Sequence, residues 1–144
     1  MSAAKAALAQ IYRRVWCLDF EYHQPKGYRP DPICLAAIDL LSGEKIELWF
    51  EDEGARECPF ICDSRDLFVS YYAIAEASIF PALKWPRPLR VLDLYAEFRN
   101  LRNGVKPPTG FKLNGALAFY GLGLVPKELS SWRSAAGRSP KESA

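Results

Sequence analysis

Two acids stand inside an apolar run at Val15-Trp16-Cys17-Leu18-Asp19-Phe20-Glu21-Tyr22-His23. Side chains alternate along a strand, so Asp19 and Glu21 share one face while Trp16, Leu18 and Phe20 take the other. Like charges beside a core are unfavourable without a compensating cation. Hard ions such as Mg²⁺ or Mn²⁺ prefer carboxylate oxygens, and two of them a few ångströms apart can stabilise the attacking and leaving oxygens of phosphodiester cleavage. The plainer alternative puts both acids at a solvent-facing strand end. A third acid, Glu76, follows Val69-Ser70-Tyr71-Tyr72-Ala73-Ile74-Ala75, where a strand passes straight into a helix. Its place in the first helical turn is near the strand's carboxyl end, where α/β sheets collect their site residues. The helix dipole alone also favours an acid there. Asp93 occupies the analogous junction before Leu94, where a helix-capping role ranks ahead of chemistry.

Other chemistries have less to work with. His23 is the only histidine, so a histidine-based triad is hard to build. Cys17 and Cys34 lie in apolar strands as buried thiols, and Cys58 and Cys62 form a C-x3-C without a second pair to complete a zinc site. Neither zinc nor a disulfide framework is expected. The net charge of +2 is too small to imply nucleic acid or membrane by itself. No signal peptide or membrane-spanning run is present, and a cytoplasmic protein is the default.

The 144 residues suggest one domain. An amphipathic helix over residues 1–14 leads to strands at Arg14–Tyr22, Ile33–Leu40 and Lys45–Phe50, expected to form an antiparallel meander. The proline-rich stretch His23–Pro32 must be a loop, as must the acidic Glu51–Glu57. A fourth strand over Leu67–Tyr72 feeds a helix over Ala73–Leu83, closed by Pro86 and Pro88. A fifth over Leu89–Asp93 leads to a helix over Leu94–Arg102, and another helix spans Leu113–Tyr120. Three antiparallel strands followed by strand–helix units predict an α/β layer with a mixed sheet. In the polar tail, residues 127–144, Ser139-Pro140-Lys141-Glu142 carries a capping signature that starts a helix.

The order of these segments resembles the proofreading-type 3′–5′ exonuclease domain of the DEDD superfamily, on a ribonuclease-H-like fold, as in phage and bacterial DNA-polymerase-I-like proteins. Leu18-Asp19-Phe20-Glu21 is similar to the first exonuclease motif, and Phe68–Glu76 to the second. Val91–Gly104 resembles the region that follows. The resemblance implies Asp19, Glu21 and Glu76 as metal ligands of a two-metal Mg²⁺ or Mn²⁺ site hydrolysing DNA from a single-stranded 3′ end.

Two departures qualify that implication. Tyr72 and Glu76 stand where the second motif usually has Asn and Asp. No Tyr or His follows Tyr120 and no Asp follows Asp93, so the third motif is missing and the helix starting at Ser139 falls about where it would begin. The chain thus reads as an exonuclease domain cut off before its last active-site helix, with impaired turnover. The alternatives are a non-catalytic nucleic-acid-binding or interaction module and a remnant of a polymerase-like protein. Tyr22, Lys26, Tyr28, Arg29 and Tyr72 are candidates to stack on and neutralise a strand end, although Tyr71 and Tyr72 also suit partly buried positions. Leu117, Phe119 and Leu122 are expected to lack cover, which raises self-association; a polymerase-type partner is the other expectation.

Overall fold

The computed structural model describes residues 2–50 and 57–125. Residues 51–56 of the expected loop Glu51–Glu57, and the tail with its capping signature at Ser139–Glu142, lie outside the described residues. Two compact units divide the chain, Met1–Ala96 and Glu97–Ala144.

The first unit holds helix α1 (Ala3–Ile11), strands β1 (Arg14–His23), β2 (Asp31–Asp39), β3 (Lys45–Trp49) and β4 (Asp66–Ser70), helix α2 (Ala73–Ala82), and strand β5 (Val91–Asp93). Helix α3 (Leu94–Leu101) starts at its end and crosses the boundary. The sheet order is β3-β2-β1-β4-β5. Strands β1, β2 and β3 pair antiparallel, whereas β4 runs parallel to β1 and β5 parallel to β4. The α/β mixed sheet is therefore as the element order implies, with β1 at its centre. The first helix is shorter than residues 1–14, because Arg14 already opens β1.

Strand alternation sorts the side chains onto two faces. On one, Trp16, Leu18 and Phe20 join Leu35, Ala37, Phe60, Phe68, Ile79, Phe80 and Trp85 in the main core. The aromatic rings there meet mostly edge to face, as between Trp16 and Phe60 at 5.2 Å and Phe68 and Phe80 at 5.8 Å. On the other face Val15, Leu67 and Val69 form a smaller core, with Leu8 and Tyr12 against it. Asp19 and Glu21 continue that second face beyond the small core.

One buried carboxylate fastens the meander. Asp39 is fully buried, and its oxygens accept from the N–H groups of Val15 (2.9 Å), Leu41 (3.1 Å) and Ser42 (3.1 Å). The Ser42 hydroxyl (2.6 Å) and the Arg14 guanidinium (2.9 Å) complete the set. Burial works against the charge, but the Ser42 and Arg14 bonds and the backbone donors outweigh it and hold the carboxyl well below the usual range.

In the second unit, helix α4 (Leu113–Phe119) packs around Phe98, whose ring lies 5.7 Å from Phe111 and 5.5 Å from Phe119. Gly115 allows the close approach of the preceding turn: an added Cβ would fall against the Thr109 carbonyl and 2.6 Å from the Gly110 carbonyl oxygen. Leu117 is half-buried here, while Phe119 and Leu122 remain exposed.

Candidate nuclease-type site

The site begins with an unpaired strand edge. β4 accompanies β1 only from Arg14 to Cys17, then turns into α2. Past Cys17 the β1 backbone facing that side has lost its neighbour, and a buried N–H left there needs an acceptor. Glu76 supplies it: the Phe20 N–H donates to Glu76 Oε2 at 2.8 Å, and Glu76 is only 7% exposed. The third acid thus reaches the residue between Asp19 and Glu21.

Asp19 is exposed and Glu21 half-buried. They lie opposite Ala36 and Cys34 of β2, and side chains directly opposite share a face. The Cys34 thiol is pushed up by burial, a Glu21 backbone contact opposes this, and the Glu21 and Asp19 charges add to it. Burial also raises the Tyr22 phenol, with further contributions from Glu76, Tyr72 and Glu21. The Tyr22 phenol therefore lies within electrostatic reach of Glu21, Tyr72 and Glu76 at the carboxyl ends of β1 and β4.

Tyr72, a stacking candidate from the sequence, has a backbone conformation that the sequence does not signal. It stands at the N-cap of α2 with φ +72°, a left-handed conformation that a bulky non-glycine residue rarely adopts. Its N–H donates to Asp93 Oδ1 (3.2 Å), which also accepts from Tyr95 N–H (2.9 Å) and Ala96 N–H (3.3 Å). Asp93 is thus the cap of α3 and ties the two strand-to-helix junctions together. Tyr72 packs edge-on to Tyr95 at 5.4 Å, as does Tyr71 at 5.8 Å. Tyr71 is half-buried, but Tyr72 is 52% exposed instead of lying in the core. No residue-type signal marks this: tyrosine is not a left-handed former, and only the tether to Asp93 makes the conformation intelligible.

Lys26, Tyr28 and Arg29 are all exposed on the loop after β1, at the same end of the sheet. A turn closed by Tyr28 N–H on the Pro25 carbonyl (3.0 Å) and Gln24 Nε2 on the Tyr28 carbonyl (3.2 Å) shape that loop.

Among the described residues, no group of three or more His, Cys, Asp and Glu side chains is arranged to hold a metal ion. A pair of divalent ions therefore does not fit these residues as they stand. Asp19 and Glu21, on one strand face, have the donor chemistry for a single hard cation. Glu76 has one oxygen engaged by the Phe20 N–H.

No protein-family model and no curated protein sequence matches the chain. Two solved structures do. In fold, the chain is similar to exonuclease domains. One is the EXO domain of Nibbler from Aedes aegypti, with a TM-score of 0.60 at 13% identity, covering 94% of this chain and 71% of that one. The other is RNase D of Escherichia coli, an exoribonuclease involved in structured RNA processing, with a TM-score of 0.54 at 13% identity. That match covers 89% of this chain but 32% of RNase D, so the chain spans about a third of that protein's length. The fold is therefore ribonuclease-H-like, and Asp19, Glu21 and Glu76 occupy its central strand and the first turn of α2. Among the described residues no helix is long and apolar enough to cross a membrane.

Proposed function

We propose that the chain is an exonuclease-type domain that engages the 3′ end of single-stranded nucleic acid at the carboxyl ends of β1 and β4. The supporting observation is the Phe20 N–H bond to Glu76, which brings a buried third carboxylate to the Asp19–Glu21 segment in a fold similar to exonuclease domains. In this reading Asp19 and Glu21 hold Mg²⁺ or Mn²⁺, which when bound supplies charge neutralisation for the terminal phosphate. Tyr72, presented at the surface by its strained backbone, stacks on the terminal base, and base–aromatic stacking is worth about 1–3 kcal/mol. Lys26 and Arg29 neutralise the phosphates that follow, with Tyr28 as a second stacking platform.

Glu76 sets the limit on turnover. While one of its oxygens accepts from the strand backbone, the carboxylate set is short of a two-metal constellation, and hydrolysis is slow. A non-catalytic nucleic-acid-binding module is the second reading, favoured by the lack of a three-ligand cluster among the described residues. Binding and turnover separate the two. Fluorescence anisotropy with labelled oligothymidylate and oligouridylate reports the end-binding that both readings require. Release of 3′ mononucleotides with Mn²⁺, abolished in Asp19→Ala, supports the exonuclease reading. Binding without release supports the module. No binding of either oligonucleotide refutes both. The RNA arm is included because RNase D acts on RNA; the sequence resemblance points to DNA.

A further inference from the structure

The outer edge of β5 has no strand paired to it among the described residues. β5 ends the sheet order, and β4 is its only neighbour among the described residues. The Arg90 carbonyl accepts from Phe68 N–H at 3.0 Å, so the Arg90 backbone faces β4. Along a strand the polar groups of successive residues point to opposite sides, so those of Val91 face outward. The side chains of this edge are apolar and open: Leu89 is 69% and Val91 47% exposed.

A groove flanks the edge on each face of the sheet. The one beside α2 has a volume of about 290 Å³ and is walled by Ile74, Ala77, Pro81 and Val91. The one beside α1 has a volume of about 510 Å³ and is walled by Leu8, Ile11, Leu67 and Leu92. Both are formed within the first unit. A strand laid against β5 would send alternate side chains into the two grooves while its backbone met Val91, which is how extended peptides join exposed sheet edges.

Charge selects the occupant. Arg87 lines the first groove and Arg90 the second, and no acid among the described residues lines either. Lys84 is exposed nearby on the same connection. A second copy of this chain would bring like charges together across a two-fold axis, which is unfavourable. We propose that the β5 edge binds an extended peptide of a partner protein with alternating apolar residues flanked by acidic ones. This surface is independent of the carboxylate site.

The test uses the full chain and a fluorescein-labelled synthetic peptide, EEVTVTVEE, with KKVTVTVKK as the charge-swapped control. The acidic-flanked peptide should bind about ten-fold or more tighter than the control. Val91→Pro removes only an outward donor, and proline is tolerated on such edges, so the variant should fold and bind the peptide about ten-fold more weakly. Should Val91→Pro lower the melting temperature, Arg87→Glu decides instead, since Arg87 is exposed and makes no hydrogen bond or ion pair among the described residues. It must reduce or reverse the preference for acidic flanks. The proposal is overturned by no binding of EEVTVTVEE, by equal binding of both peptides, by undiminished binding in a folded Val91→Pro, or by a preference unchanged in Arg87→Glu. Displacement of the peptide by oligothymidylate, with amide shifts at residues 89–93, would overturn it in favour of a nucleic-acid groove.

Discussion

Removing the Glu76 carboxylate should damage the sheet as well as the site. In Glu76→Ala the Phe20 N–H keeps its buried position and loses its only described acceptor. A hydrogen bond to a charged group contributes about 1.5–3 kcal/mol, and a buried donor left alone costs about as much. The better helix propensity of alanine returns no more than about half a kcal/mol, for a net loss of about 1–3 kcal/mol. At about 4–8 °C per kcal/mol for a unit of this size, the melting temperature should fall by about 4–24 °C. Glu76→Gln retains an oxygen acceptor and should lose about 1 kcal/mol. Urea unfolding followed by tryptophan fluorescence measures both, and amide exchange at Phe20 localises the effect: strong protection in the wild type, partial in Gln, lost in Ala. A loss below about 0.5 kcal/mol in Glu76→Ala, or unchanged protection at Phe20, would refute the view that this bond substitutes for the departed β4.

Further outcomes follow from three other parts of the chain. The Asp39 carboxyl is held below its ordinary value, so its contribution to stability is complete above about pH 4 and is lost as the pH falls toward the depressed value; Asp39→Asn should flatten the acid limb of a melting-temperature profile. Asp39→Ala should lose about 2–3 kcal/mol by urea unfolding, because the buried Val15 N–H is stranded. Tyr72→Gly relieves the left-handed strain while giving up the Tyr95 contact, so stability should stay within about 1 kcal/mol of wild type. Affinity for oligothymidylate should nevertheless fall about five-fold or more, measured by anisotropy. In the second unit, Gly115→Ala forces α4 away from the Thr109–Gly110 carbonyls, and limited proteolysis between residues 97 and 125 should accelerate.

Much of this architecture was legible in the sequence because hydrophobic alternation is a direct record of sheet burial. Trp16, Leu18 and Phe20 on one face with Asp19 and Glu21 on the other follow from a period of two, and the meander follows from the turn chemistry at Ser42-Gly43. The β4–α2 junction was visible as an apolar strand running into a helical stretch, with Glu76 in its first turn. The strand ends were less legible: β5 starts at Val91 rather than Leu89, since the residue register with β4 starts at the Phe68–Val91 pair. What the sequence did not carry was the long-range pairing. That the Phe20 N–H would need an acceptor depends on how far β4 accompanies β1, and that Tyr72 would be strained depends on Asp93, 21 residues away. Of the two readings open for Tyr72, the partly buried one fails for the same reason, because an apolar neighbourhood in sequence says little about a residue whose backbone is tethered elsewhere.

The central claim is that acids on β1 and α2 form a working centre for a nucleic-acid end. A 3′-labelled single-stranded oligonucleotide incubated with wild type and with Asp19→Ala, each with Mn²⁺, tests it most directly. The wild type should release mononucleotides slowly, and the variant should be slower by about a hundred-fold or more, as loss of a charge-stabilising group at a reacting centre commonly produces. Product formed equally by both proteins would contradict the claim.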